Sequence, residues 1–165
     1  MAQQVSVRPA RPDDMPTVHR LIIDLATHEG VPDGPKLSPV DLIEDGFNTS
    51  PPWFFCLVAE INGEIVGYAL CNRAYSSWTR RAMYLEDLYV APAHRRAGVA
   101  TALLRALCQM AVSEGVNRID WHVLVGNASA QAFYEQLGAR DLSHTEHRAP
   151  LRLYRPDIER AAAGH

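Results

Sequence analysis

The chain has only three cysteines among its 165 residues, Cys56, Cys71 and Cys108. An odd number without metal-ligand spacing predicts neither a disulfide framework nor a zinc site, and no metal is expected. Cys56 and Cys71 fall in strand-like runs and Cys108 in an apolar helical run, which predicts three buried, inert thiols. The cytoplasm is the simplest compartment for them. No apolar stretch approaches the roughly 20 residues that span a bilayer, and no signal-peptide core precedes Val5-Ser6-Val7-Arg8, so no membrane partner is expected. There is no basic tail and no run of like charges, and the formal net charge is −3. That leaves no electrostatic case for nucleic acid. Repeats, low-complexity tracts and linkers are missing as well. Residues 1–165 are therefore expected to form a single domain, with 47% hydrophobic and 21% charged residues in an ordinary globular balance.

What is present alternates. Val5 to Arg8 reads as a strand. Pro12-Asp13-Asp14 opens a helix running to about Glu29, with Val18, Leu21, Ile22 and Leu25 on one face. Ser38-Pro39 opens a short helix through Asp45, with Gly46 as its stop. Phe54–Ile61 and Glu64–Asn72 flank Asn62-Gly63, a strong hairpin signal. A loop, Arg73 to Arg80, leads to a strand from Met83 to Ala91. Ala100, Leu103, Leu104, Leu107 and Ala111 stripe the next helix. Arg118 to Val125 reads as a strand, Asn127 caps a helix over Ala128–Leu137, and Gly138 ends it. Strands near Ala139–Ser143 and Pro150–Tyr154 are expected, then a polar, Ala-rich tail from Pro156. The fold class is α/β (α+β): a mixed, mainly antiparallel central sheet with helices on both faces.

Between the strand at Met83 and the helix at Thr101 lies Arg95-Arg96-Ala97-Gly98-Val99-Ala100. Strand, basic turn with glycine, then helix is an order that builds an anion site. The first N–H groups of a helix have no partner within it, and the helix dipole makes that end positive. Gly98 lets backbone come close, the two arginines add donors, and a pyrophosphate is the natural occupant. The pattern is neither Gly-x-Gly-x-x-Gly nor the Walker Gly-Lys-Ser/Thr.

Three other segments carry candidate chemistry. Tyr84-Leu85-Glu86-Asp87-Leu88-Tyr89-Val90 sets two carboxylates in an apolar strand, where alternation turns them to opposite faces unless a bulge intervenes. Asn127 to Glu135 places Tyr134 two turns into a capped helix, where a phenol could act as an acid. Tyr75-Ser76-Ser77-Trp78 offers aromatic rings to an alkylammonium.

Taken in order, Leu42-Ile43-Glu44-Asp45-Gly46-Phe47, Cys56-Leu57-Val58-Ala59-Glu60, Tyr84 to Val90, Arg95-x-x-Gly98-x-Ala100, Asn127 with Phe133-Tyr134, and Leu137-Gly138-Ala139-x-Asp141-Leu142 resemble the GCN5-related N-acetyltransferases (GNAT). Within them they resemble the diamine acetyltransferase family, the spermidine/spermine N-acetyltransferase-like group, over residues 5 to 145. The resemblance implies an acetyl-coenzyme A-dependent N-acetyltransferase of GNAT fold, acting by direct attack of an amine without an acyl-enzyme. It implies that Arg95, Arg96, Ala97, Gly98, Val99 and Ala100 hold the pyrophosphate. Leu88 and Val90 would pair with the pantetheine arm, and Asn127 would contact it. Tyr134 would also contact the co-substrate and protonate the leaving thiolate. Glu86 would accept the amine proton, and Glu29, Trp78, Glu86 and Asp87 would recognise the acceptor.

The polyamine branch has an acid at the position of Ser76, so the chain looks more like the thialysine-type branch. A small primary amine of the thialysine, lysine or diamine kind is the expected acceptor. The alternatives are a protein or antibiotic amine, or a coenzyme A-binding regulatory domain without turnover. The family's Glu-Gly-Trp near its last strands is replaced by Glu146-His147-Arg148, a region tied to the homodimer that the resemblance implies.

Overall fold

The computed structural model describes residues 4–146 and 150–164, in two compact units that divide between His122 and Val123. The first unit is a five-stranded sheet in the order β1-β2-β3-β4-β5. Its strands are β1 (Val5–Pro9), β2 (Phe55–Ile61), β3 (Glu64–Ser76), β4 (Arg80–Val90) and β5 (Arg118–Trp121). The first three pairings are antiparallel and β4 with β5 is parallel, so the sheet is mixed and mainly antiparallel, as expected.

Two sets of side chains on these strands bury against different helices. After a 3-10 turn at Pro12–Asp14, α1 (Met15–His28) turns Met15, Val18, Leu21 and Ile22 onto Cys56, Val58, Tyr68 and Tyr89. Leu42 of α2 (Pro39–Ile43) joins that cluster. Residues alternate across a strand, so Leu57 and Ala59, also buried, turn to the other face. There α3 (Val99–Ser113) packs on the sheet through Val99, Leu103, Leu104, Leu107 and Ala111.

Asn62 and Gly63 both adopt left-handed backbone, φ 52° and 80°, which is the hairpin turn expected of Asn-Gly. Several expectations need correction. Arg73 to Ser76 and Arg80 are strand rather than loop, leaving only Ser77–Thr79 as the turn between β3 and β4. Gly46 does not stop a helix; it lies in a π-turn, Glu44–Asn48, that continues α2. It is small because a Cβ there would sit 2.5 Å from the ring of Phe54. Cys108 is exposed, since it lies at the border of the apolar stripe, while Cys56 and Cys71 are buried.

The second unit holds α4 (Ala128–Gln136), α5 (Leu142–Thr145) and α6 (Arg155–Ala162). The strand from Arg118 stops at Trp121, not Val125. Ala139–Ser143 is not a strand: Asp141 accepts from the Ser143 N–H at 2.9 Å and so starts α5. Pro150–Tyr154 is irregular. His147 and Arg148 lie outside the described residues. Among the described residues no helix is long and apolar enough to cross a membrane.

Candidate active site

On a regular strand Glu86 and Asp87 would face opposite sides. The register passes from Cys71 opposite Leu85 to Leu70 opposite Asp87, so Glu86 is an extra residue, a β-bulge. Both carboxylates line one cavity of about 250 Å³, walled by Ile22, Leu42, Phe54 and Leu70. Asp41 and Asp45 line it too, and none of its lining residues is cationic. Glu86 is exposed and Asp87 half-buried. The Tyr68 hydroxyl donates to Asp87 Oδ2 at 2.9 Å. Burial pushes the Asp87 carboxyl up to about 6; the Tyr68 hydrogen bond opposes this, and the charges of Glu86 and Glu29 add to it.

The next residues of β4 present backbone. Ala91 N–H donates to the Val66 carbonyl at 2.9 Å. In an antiparallel pair that parity turns the amide groups of Tyr89 toward β3 and those of Leu88 and Val90 away from it. On that side β5 pairs only with Ala82 to Leu85. Within this unit the edge at Leu88 and Val90 therefore has no strand beside it. The Val90 carbonyl accepts instead from Arg95 Nε at 3.1 Å.

A 3-10 turn, Pro92–His94, leads into the basic loop. Arg96 and Gly98 take left-handed backbone, φ 61° and 79°. For arginine that conformation costs about 1 kcal/mol, and such strain concentrates at ligand sites. A Cβ at Gly98 would meet nothing within 4 Å, so glycine is there for its backbone angle and leaves open space. No side chain caps α3. The N–H groups after Gly98, on Val99 and Ala100, thus begin a 15-residue helix bare of capping side chains. Arg96, Ala97 and Gly98 are exposed. Arg95 braces the loop, its guanidinium 5.5 Å from the Tyr89 ring centre. A turn shaped for an anion beside an open strand edge fits acetyl-coenzyme A, which carries a pyrophosphate and an amide-bearing arm.

The remaining first-unit candidates divide. Glu29, at the C-terminal end of α1, is exposed and acts electrostatically on Asp87. Trp78 is 81% exposed at the β3–β4 turn, where the Ser76 hydroxyl oxygen accepts from the Trp78 and Thr79 N–H groups. Six ladder steps, from Ser76 opposite Arg80 to Leu70 opposite Asp87, separate that turn from Asp87, roughly 20 Å. Trp78 and the carboxylate cavity are separate places on this chain.

In the second unit Asn127 Oδ1 accepts from Ala130 N–H at 3.1 Å and caps α4, as its sequence position predicts. Tyr134 is half-buried beside Phe133, ring centres 5.5 Å apart. Burial raises its phenol, which keeps it protonated. Sequence reading overlooked Tyr68, Asp41 and Asp45. Tyr68 sits in an apolar run where only its hydroxyl hints at a buried partner. Among the described residues no group of His, Cys, Asp or Glu is arranged to hold a metal ion.

A family model described as the acetyltransferase (GNAT) family matches residues 19–139. The chain is 39% identical over 150 residues to thialysine N-epsilon-acetyltransferase of Sus scrofa, covering 86% of this chain and 88% of that protein. It is 36% identical over 147 residues to spermidine/spermine N(1)-acetyltransferase-like protein 1 of Homo sapiens, covering 85% of this chain but only 21% of that longer protein. Among solved structures, an integron cassette protein from the mobile metagenome of V. cholerae shares the fold. Its TM-score is 0.77 at 20% identity, over 98% of both chains.

Proposed function

Because the chain belongs to the acetyltransferase (GNAT) family, and so is an acetyl-coenzyme A-dependent N-acetyltransferase, we propose that its acceptor is the primary amine of a small molecule of the thialysine, lysine or diamine kind. The observation that carries this is the β4 bulge, which turns Glu86 and Asp87 into one cavity with no cationic lining. A small alkylammonium matches that charge and those apolar walls. The names of the two relatives point the same way.

Acetyl-coenzyme A supplies the acetyl group and departs as the thiol. Backbone N–H groups of Arg96 to Ala100 bind its pyrophosphate at the uncapped start of α3, with Arg95 bracing the loop. The open edge at Leu88 and Val90 receives the pantetheine arm, and Asn127 contacts it. An ammonium has no lone pair, so the acceptor must lose a proton before it attacks. Glu86, exposed at the bulge, takes that proton through water. Glu29 and Asp87 recognise the acceptor. Tyr134, protonated, serves as the acid for the departing thiolate. Attack is direct: burial pushes the Cys71 thiol up to about 12 and the Cys56 thiol higher still, which leaves both poor nucleophiles. The two units act as one domain, a reading supported by a family match that runs across both. The enzyme works as a cytoplasmic homodimer.

Thiol release from acetyl-coenzyme A, measured against thialysine, lysine, spermidine, putrescine and an aminoglycoside, tests the acceptor class. Turnover selective for thialysine or another short amine is expected. Turnover confined to the aminoglycoside, or none at all with coenzyme A still bound, would overturn it.

A further inference from the structure

We propose that Tyr68 is a positioning residue of the acceptor cavity: its buried hydroxyl hydrogen-bonds Asp87 and keeps it turned into the cavity beside Glu86, where the pair meets the acceptor's ammonium. This rests on the acceptor reading above and adds a residue to it.

Tyr68 lies on β3 opposite Tyr89, within the cluster under α1, and is 0% exposed. A phenol buried that completely needs a partner, and its partner is Asp87 Oδ2 at 2.9 Å. The donor is permanent, because burial and the Asp87 charge hold the phenol far above its ordinary range. Other groups around Asp87 work against its charge or are neutral. Glu86 adjoins it on β4, Glu29 ends α1, and Asp41 and Asp45 line the cavity. Cys56 on β2 and Cys71 on β3 are thiols held protonated by burial. No cation lines the cavity among the described residues. The Tyr68 hydroxyl is therefore the neighbour that favours the charged form, and a hydrogen bond to a charged group is among the stronger ones. Carboxylate and phenol lie 19 residues apart in sequence and meet diagonally across β3 and β4, Tyr68 opposite Tyr89 and Asp87 opposite Leu70.

The test compares wild type with Tyr68→Phe, which keeps the ring, and Asp87→Asn. One readout is kcat/KM for the amine against pH at saturating acetyl-coenzyme A. The other is the carbon-13 NMR titration of the Asp87 carboxyl in the free protein, which needs no turnover. The expected midpoint is about 6 in wild type and about one unit higher in Tyr68→Phe. The acid limb of kcat/KM should move with it, a loss of about fivefold at pH 6 that fades by about pH 8.5. KM for acetyl-coenzyme A should not change. A rate lowered by one factor at every pH, with the carboxyl midpoint unmoved, overturns the proposal. If Tyr68→Phe does not fold, Asp87→Asn decides: loss of the acid limb supports the assignment and an unchanged limb overturns it. If wild type acetylates no amine, the acceptor reading fails, and the carboxyl titration alone decides Tyr68.

Discussion

Replacing Asp87 with asparagine should flatten the dependence of folding stability on pH. The Asp87 carboxyl is raised from 3.8 to about 6 in the folded protein, chiefly by burial. A folded-state pKa raised above the unfolded value means that the native state holds the proton more tightly. That contribution is fully present below about pH 4 and is lost as pH rises through about 6. Two units correspond to about 3 kcal/mol at 1.36 kcal/mol per unit. Because Asp87 is half-buried and its cavity opens to solvent, this is an upper bound. Asparagine keeps an acceptor for the Tyr68 hydroxyl and never ionises. Relative to wild type, the variant should therefore gain stability as pH rises from about 4 to 7.5 and level off beyond. Urea unfolding at half-unit steps of pH, followed by tryptophan fluorescence, reads the difference directly. A difference between variant and wild type that stays constant across that range would refute the reasoning. So would one that grows toward low pH.

Tyr134→Phe should lower kcat by about 100-fold while leaving the affinity for acetyl-coenzyme A nearly unchanged. Unchanged turnover in steady-state assays would remove the acid role. Glu86→Gln should lose most activity at low pH, where the acceptor amine is protonated; an equal loss at every pH would indicate positioning instead of proton acceptance. Gly46→Ala should destabilise by about 1–3 kcal/mol in urea, because the new Cβ strikes the Phe54 ring. It should also raise KM for the amine, since Phe54 lines the cavity.

Features set by neighbours in sequence were legible. Asn62-Gly63 announces its own left-handed turn, and the stripe on α3 announces its buried face. Features set by what lies opposite were not. Glu86 and Asp87 share a cavity only because β3 offers one residue fewer at that point, and nothing within β4 reveals that count. Arg73 to Ser76 read as a loop because it is largely exposed, yet it is held as strand by Arg80 to Met83 across the ladder. Ala139–Ser143 has no β-branched or aromatic residue to favour a strand, and the Asp141 cap commits it to a helical turn. The uncapped start of α3 was readable as a loop with glycine before a helix. The open edge beside it needed the point at which β5 stops.

The bulge also bears on how such a site could arise or vanish. Deleting Glu86 would remove the one surplus residue of β4, bring Leu85 and Asp87 into unbroken alternation and leave every other pairing in register. The ladder would become more regular, not less, and the cavity would keep Asp87 alone. A paired carboxylate here is thus one codon away from a sheet that has no use for it. A three-base deletion is a gentler probe of the second acid than any substitution that keeps the kink.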